Sequence, residues 1–133
     1  MRNATVVDRY LDLMEEALIN AIYQDRAMDP WSQPVFDARK RDSGLDWPQQ
    51  VLTMIGRVRL RSLHEGCEAI LRERVAGDFV ETGIWRGGAR IMMAAMLAAY
   101  GNVEREEWGF DSFEGLPAPN EGCRIELFQR LLC

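Results

Sequence analysis

The stretch that most limits how this chain can fold is residues 77–101, GDFVETGIWRGGARIMMAAMLAAYG. The run DFVETG, apolar in its middle, reads as a strand bounded by glycine. Arg86 to Tyr100 reads as a helix with Ile91, Met92, Met96, Leu97 and Tyr100 on its buried side and Gly101 at its C-cap. Between them stand Gly83, Gly87 and Gly88, three of only 11 glycines in 133 residues. Glycine loses more conformational freedom on folding than any other residue, so such a cluster marks a backbone that bends sharply or lies close to something. After NVERE a second strand, EWGF, leads into the turn-rich DSFEGLPAP. Strand, glycine turn, helix and strand make a βαβ unit. Its right-handed crossover brings the first turn and the end of the second strand to one edge of a parallel sheet, where α/β folds bind ligands.

That edge has a definite chemistry. A helix N-terminus presents free N–H groups and partial positive charge. Asp111, 28 residues beyond Gly83, ends the second strand, where a carboxylate can accept both hydroxyls of a ribose. An adenosine compound is therefore expected. A dinucleotide site would read G-x-G-x-x-G, letting the backbone approach a pyrophosphate, whereas the order here is E-T-G-I-W-R-G-G. Glu81, Asp111 and nearby Glu114 would repel two phosphates and suit a ligand that carries an ammonium and a sulfonium, as S-adenosylmethionine does. A NAD-binding domain is the weaker reading. A plain alternative also stands: the glycines form a tight connection and Glu81 is a solvated strand end.

Towards the N-terminus, residues 5–23 place Val6, Tyr10, Leu13, Met14, Ala17, Leu18, Ala21 and Ile22 at the spacing of an amphipathic helix. Gln24 to Leu45, with Asp29-Pro30 and Gln33-Pro34, reads as a long irregular connection, commonly functional or mobile. In DWPQQ, Asp46 can cap a helix, Pro48 fits its first turn and Gln49 holds the capping-box position. A helix is predicted to start there, to bend near TMIG (53–56) and to resume through Ile55, Val58, Leu63, Cys67, Ile70 and Leu71 as far as Gly77. Arg57, Arg59 and Arg61 read as a solvated face. Trp85 and Trp108 read as packing aromatics rather than stacking platforms. His64, the only histidine, reads as a surface or satisfied residue rather than a base, and Cys67 as core. The tail from Gly122 to Cys133 is expected to form one more helix through Ile125, Leu127, Phe128 and Leu131.

Charge and cysteines exclude several classes. Sixteen basic residues against 21 acidic ones give −5, which argues against nucleic acid as the main partner. Three cysteines without a CxxC pair fit reduced cytosolic thiols better than a disulfide framework or a zinc site. No run reaches about 18 apolar residues and the N-terminus lacks a signal-peptide pattern, so a cytoplasmic protein without a membrane span is expected.

The wording of three segments goes further than their spacing. DWPQQVLTMIGRVRLRSL, GDFVETGIWRGGARIMMAAMLAAYG and WGFDSFEGLPAP, in this order, resemble the macrocin O-methyltransferase (TylF-type) family, whose members methylate sugar hydroxyls on macrolides and related natural products. YLDLMEEALINAIYQD is similar to that family's first helix. The resemblance implies S-adenosylmethionine as cofactor, a small-molecule acceptor, magnesium and a homo-oligomer. It also implies a Rossmann-like methyltransferase fold of α/β class, truncated here, with an N-terminal helical layer. Residues 1–75 would form that layer, with a mobile loop at 24–45, and residues 76–133 an incomplete cofactor domain, its first βαβ unit. Carried over by position, Glu81 and Gly83, with Thr82 between them, would line the methionine part of the cofactor. Asp111 would hold the ribose, Ser112 would lie beside the adenine, and Thr53 and Met54 would cover the cofactor from the helical layer. Members of the family continue past the point where this chain stops, and their metal-holding carboxylates lie there, so neither a metal ligand nor a catalytic base is expected among these 133 residues. The first strand, normally central, would have one open edge, prone to pairing with another chain. A catalytically inactive remnant that binds cofactor or a protein partner is the competing expectation.

Overall fold

The computed structural model describes residues 4–28 and 34–115. The tail helix expected at 122–133 lies outside the described residues. The elements run α1 (Val6–Leu18), α2 (Ala38–Ser43), α3 (Gly56–Arg72), β1 (Phe79–Thr82), α4 (Gly88–Ala99) and β2 (Glu107–Phe110).

α1 starts at a capping box: Thr5 Oγ1 accepts from the Asp8 N–H at 3.1 Å, and Asp8 Oδ2 accepts from the Thr5 N–H at 2.6 Å. It stops at Leu18, earlier than the apolar spacing predicted. Asn20 turns left-handed at φ +52, and the Ile19 carbonyl goes to the Arg41 guanidinium at 2.7 Å, which satisfies a helix-end acceptor. α2, inside the segment expected to be irregular, is capped by Asp37, whose Oδ1 accepts from the Arg39 and Lys40 N–H groups, and it closes on Gly44 at φ +70.

The helix predicted from Asp46 does not form there. Asp46 is buried and accepts from Arg41 Nε at 2.9 Å, and Pro48 bridges to Ala27. A buried cation outcompetes a helix cap for that carboxylate, since an unpaired buried charge costs several kcal/mol. Residues 46–55 run instead as an irregular strap, and α3 begins at Gly56. A Cβ at Gly56 would lie 2.4 Å from the Gly44 nitrogen, so a side chain there would push the two segments apart.

α3 ends before the predicted Gly77. Arg74 takes the left-handed position at φ +54, and the Val75 and Arg74 N–H groups bond the Ile70 and Leu71 carbonyls, a Schellman closure. α4 closes the same way on Gly101 at φ +62.

α1, α3 and α4 pack together around Leu11, Leu18, Leu60, Cys67, Met92 and Met96, with Phe79 of β1. Ile91 and Tyr100, predicted to be buried, are part-exposed, and Met93 and Ala95 are buried instead. α4 is apolar almost all round, so its periodicity marks no single face. The outward reading of the arginines holds for Arg59 and Arg61, both exposed, and fails for Arg57, which is part-buried. Arg57 bridges Glu16 and Asp42, and Arg61 reaches Asp12 and the fully buried Glu15. His64 Nδ1 lies 3.0 Å from the other Glu15 oxygen, so it is satisfied as expected. Cys67 is in the core, where burial pushes its thiol up to about 11.

β1 and β2 pair in parallel, with Phe79 opposite Glu107, Val80 opposite Trp108, Glu81 opposite Gly109 and Thr82 opposite Phe110. The residues at Phe79, Glu81, Glu107 and Gly109 share one face, under α4. A Cβ on Gly109 would come within 2.6 Å of Arg90 and Ile84, so this glycine makes room for the helix side chains. Val80, Thr82, Trp108 and Phe110 line the opposite face.

Candidate cofactor site at the strand ends

The glycine turn follows β1 directly. Gly83 and Gly87 stand at φ +80 and +82, a conformation open to glycine and strained for other residues, and Trp85 shares it at φ +51. The turn is joined to the tip of β2 by two hydrogen bonds: Gly83 N–H to the Phe110 carbonyl at 2.8 Å, and Ile84 N–H to Asp111 Oδ2 at 2.7 Å. Asp111 Oδ1 accepts from the Phe113 N–H at 3.0 Å. These backbone donors, Phe113 foremost and then Ile84, hold the Asp111 carboxyl below the usual carboxylate range.

Glu81 faces α4. The Arg90 N–H, in the first turn of that helix, draws the Glu81 carboxyl down, and the N-cap, Gly87, offers no side chain. Glu81 Oε2 is buried without a partner. Burial pushes the carboxyl up and the Glu107 charge adds to this, while the Arg90 N–H and charge oppose it. Arg90 spends its guanidinium on Glu107, at 2.6 and 2.9 Å.

The strap supplies the third wall. Thr53 is buried against Gly88, where a Cβ would lie 2.6 Å from the Thr53 Cβ and 2.5 Å from the Leu52 oxygen. Met54, the next residue, is part-exposed. Thr82 and Ser112 are exposed at the strand ends, and Ser112 Oγ accepts from the Glu114 N–H. The fold therefore draws Thr53, Gly83 and Asp111 around one turn, with Glu81 beneath it against α4. Trp85 and Trp108 are about half exposed, so neither is a core packing aromatic. Trp108 Nε1 donates to Asp78 and Trp85 lies under the Arg86 guanidinium, 4.4 Å from its ring centroid.

Sequence reasoning missed Arg86. Its Nη1 donates to the Gln49 and Val51 carbonyls at 2.9 and 3.1 Å, clamping the turn to the strap. The only signal available was an arginine inside a glycine cluster, because backbone carbonyl partners leave no mark in a sequence. A 590 Å³ cavity lined by Leu71, Asp78, Asn102 and Arg105, among others, lies at the opposite ends of the strands and includes none of the expected residues. Among the described residues no group of three or more His, Cys, Asp or Glu side chains is placed to hold a metal ion, and no helix is long and apolar enough to cross a membrane.

Known proteins resemble this chain over most of its length. The chain is 46% identical over 113 residues to 8-demethyl-8-(2,3-dimethoxy-alpha-L-rhamnosyl)-tetracenomycin-C 4'-O-methyltransferase of Streptomyces olivaceus, covering 83% of this chain and 42% of that protein. It is 42% identical over 119 residues to mycinamicin III 3''-O-methyltransferase of Micromonospora griseorubida, covering 88% and 47%. The solved structure of the O-methyltransferase NovP superposes with a TM-score of 0.78 at 36% identity, over 94% of this chain and 52% of that one. The chain thus spans less than half the length of these curated relatives. Residues 7–129 match the macrocin-O-methyltransferase (TylF) family, and the chain belongs to it.

Proposed function

We propose that this chain is the cofactor-binding part of a cytoplasmic S-adenosylmethionine-dependent O-methyltransferase whose acceptor is a hydroxyl on a sugar or natural product. The observation that carries the cofactor assignment is Glu81: a carboxylate oxygen, buried and unpartnered, beneath a glycine turn braced by a second carboxylate, Asp111. An orphaned buried acceptor fits a cationic ligand group and disfavours a diphosphate. Glu81 and Gly83, with Thr82, would take the methionine end, Asp111 and Ser112 the adenosine, and Thr53 and Met54 the strap side. The relatives' names supply the acceptor class, since one methylates a rhamnosyl-tetracenomycin and another mycinamicin III.

When bound, the cofactor supplies an electrophilic methyl group on a sulfonium. The residues of this chain hold it: Asp111, its carboxyl held below the usual range, keeps its charge, Glu81 meets positive charge, and the Asp111–Ile84 bond fixes the turn between them. The acceptor hydroxyl must lie in line with the methyl and lose its proton. Among the described residues no group of three or more His, Cys, Asp or Glu is placed to hold magnesium.

Titration calorimetry with S-adenosylmethionine and with NAD tests the reading: heat with the former and none with the latter is expected, and binding of NAD alone overturns it. A second reading, an inactive chain that binds cofactor or a protein partner, is favoured by the bare sheet face at Val80, Trp108 and Phe110. Methyl transfer to a rhamnosylated or macrolide acceptor separates the two.

A further inference from the structure

We infer that Arg41, remote in sequence from every residue assigned above, is a positioning residue for the cofactor site. It acts through the strap that clamps the glycine turn, and the inference rests on the cofactor reading only for its affinity readout.

Arg41 is 2% exposed, and every nitrogen of its guanidinium is bonded. Nη1 donates to Asp25 Oδ1 at 2.9 Å and to the Ile19 carbonyl at 2.7 Å, Nη2 to the Asp25 carbonyl at 2.8 Å, and Nε to Asp46 Oδ2 at 2.9 Å. The second oxygen of Asp25 accepts from the Gln50 N–H at 2.7 Å. One buried cation therefore fixes the strap at both Asp46 and Gln50. The residues beside and after Gln50 are the ones that touch the site. The Gln49 and Val51 carbonyls receive Arg86, the Leu52 carbonyl receives the Gly88 N–H at 2.9 Å, and Thr53 sits where a Gly88 side chain would be.

The strap is thus held at interleaved positions by arginines of different character. Arg41 is buried and holds it to the helical layer. Arg86 is exposed and holds it to the turn. A guanidinium presents donors in a fixed fork, whereas lysine is a point charge, so Arg41→Lys keeps the charge and loses the directions that set the strap. If Arg41 served only to stabilise the helical layer, loosening it would lower the melting temperature and leave the turn unchanged.

The test uses the whole chain and three variants, Arg41→Lys, Arg86→Ala and the double. Hydrogen exchange at the Gly88 amide reports the strap without any ligand, and calorimetry with S-adenosylmethionine reports the site. Arg41→Lys is expected to speed Gly88 exchange and weaken the cofactor about tenfold, and Arg86→Ala to do the same with little change in melting temperature. Because both act on one strap, the double variant should bind no worse than the weaker single. Unchanged Gly88 exchange in Arg41→Lys, or two additive affinity losses, overturns the inference. Should Arg41→Lys fail to fold, Arg86→Ala decides alone: unaltered Gly88 exchange overturns the coupling of turn to strap. Wild-type protein that binds no S-adenosylmethionine would overturn the cofactor reading, while the exchange result still decides the role of Arg41.

Discussion

The helical layer and the sheet of this chain are completed to different degrees. In the helical layer, charge is buried and matched. Arg41 is surrounded by carboxylates and carbonyls, Glu15 has Arg61 on one oxygen and His64 on the other, and Arg57 joins Glu16 to Asp42. In the sheet, one face is packed under α4 and the other is bare, with Val80, Trp108 and Phe110 at 58%, 47% and 59% exposure. Parallel sheets are ordinarily covered on both faces, and β1 has a strand neighbour on one side only among the described residues. The difference teaches where this fold keeps its own stability and where it offers surface to something else: the helical layer closes on itself, and the sheet does not.

The largest effect should come from breaking the closed half. Arg41→Met leaves the carboxylates of Asp25 and Asp46 without their buried counter-charge, and a loss of about 3–5 kcal/mol is expected by chemical denaturation. A loss below about 1 kcal/mol would mean that solvent reaches the cluster and that the layer is less closed than its geometry says. Next comes the seam between the halves. Gly88→Ala places a methyl against the Leu52 carbonyl and Thr53, both held by the strap, so overpacking of about 1–3 kcal/mol is expected, together with weaker cofactor binding.

The open half should be far more tolerant. Val80→Thr and Phe110→Thr keep residues suited to a strand and remove apolar area that already faces water. Each is expected to change stability by no more than about 0.5 kcal/mol while reducing self-association, measured by sedimentation. If either cost more than about 1 kcal/mol, the face would have to be covered in solution, and the contrast between the halves would shrink.

This contrast also explains what the sequence disclosed. β2 was legible to the residue, because EWGF is bounded by charge on one side and a turn on the other, and β1 with its glycine turn followed from local spacing. Family membership came from the wording of three segments. The DWPQQ strap was misread because every local signal there favours a helix, and the winning interaction, Asp46 with Arg41, is tertiary. Arg57 was misread for the same reason, since its partners Asp42 and Glu16 lie 15 and 41 residues away. Of the candidate site, Glu81, Gly83 and Asp111 were visible as charge and glycine at predicted strand ends. Arg86, which bonds backbone carbonyls, was not.

The smallest effect on stability separates the two carboxylates of the site. The Asp111 carboxyl is held below its usual range near 4, so its contribution to stability is present above that range and disappears as pH falls through the lower folded value. Glu81 is shifted the other way by burial, so its contribution is present below the usual range and is lost as pH rises through the raised value. Where Glu81 is ionised it is therefore a small liability, and there Glu81→Gln should melt at a slightly higher temperature than wild type, the gain vanishing in acid. Asp111→Asn should melt lower at neutral pH and converge with wild type as pH falls. Binding should not follow stability. A carboxylate that is unfavourable while it lacks a partner becomes favourable once a cation meets it, so the same Glu81→Gln change that raises the melting temperature should weaken S-adenosylmethionine, with the loss largest where wild-type Glu81 is ionised. A Glu81→Gln protein that is more stable and binds the cofactor equally well would place Glu81 among the residues that merely cap α4, and would remove the charge argument from the site.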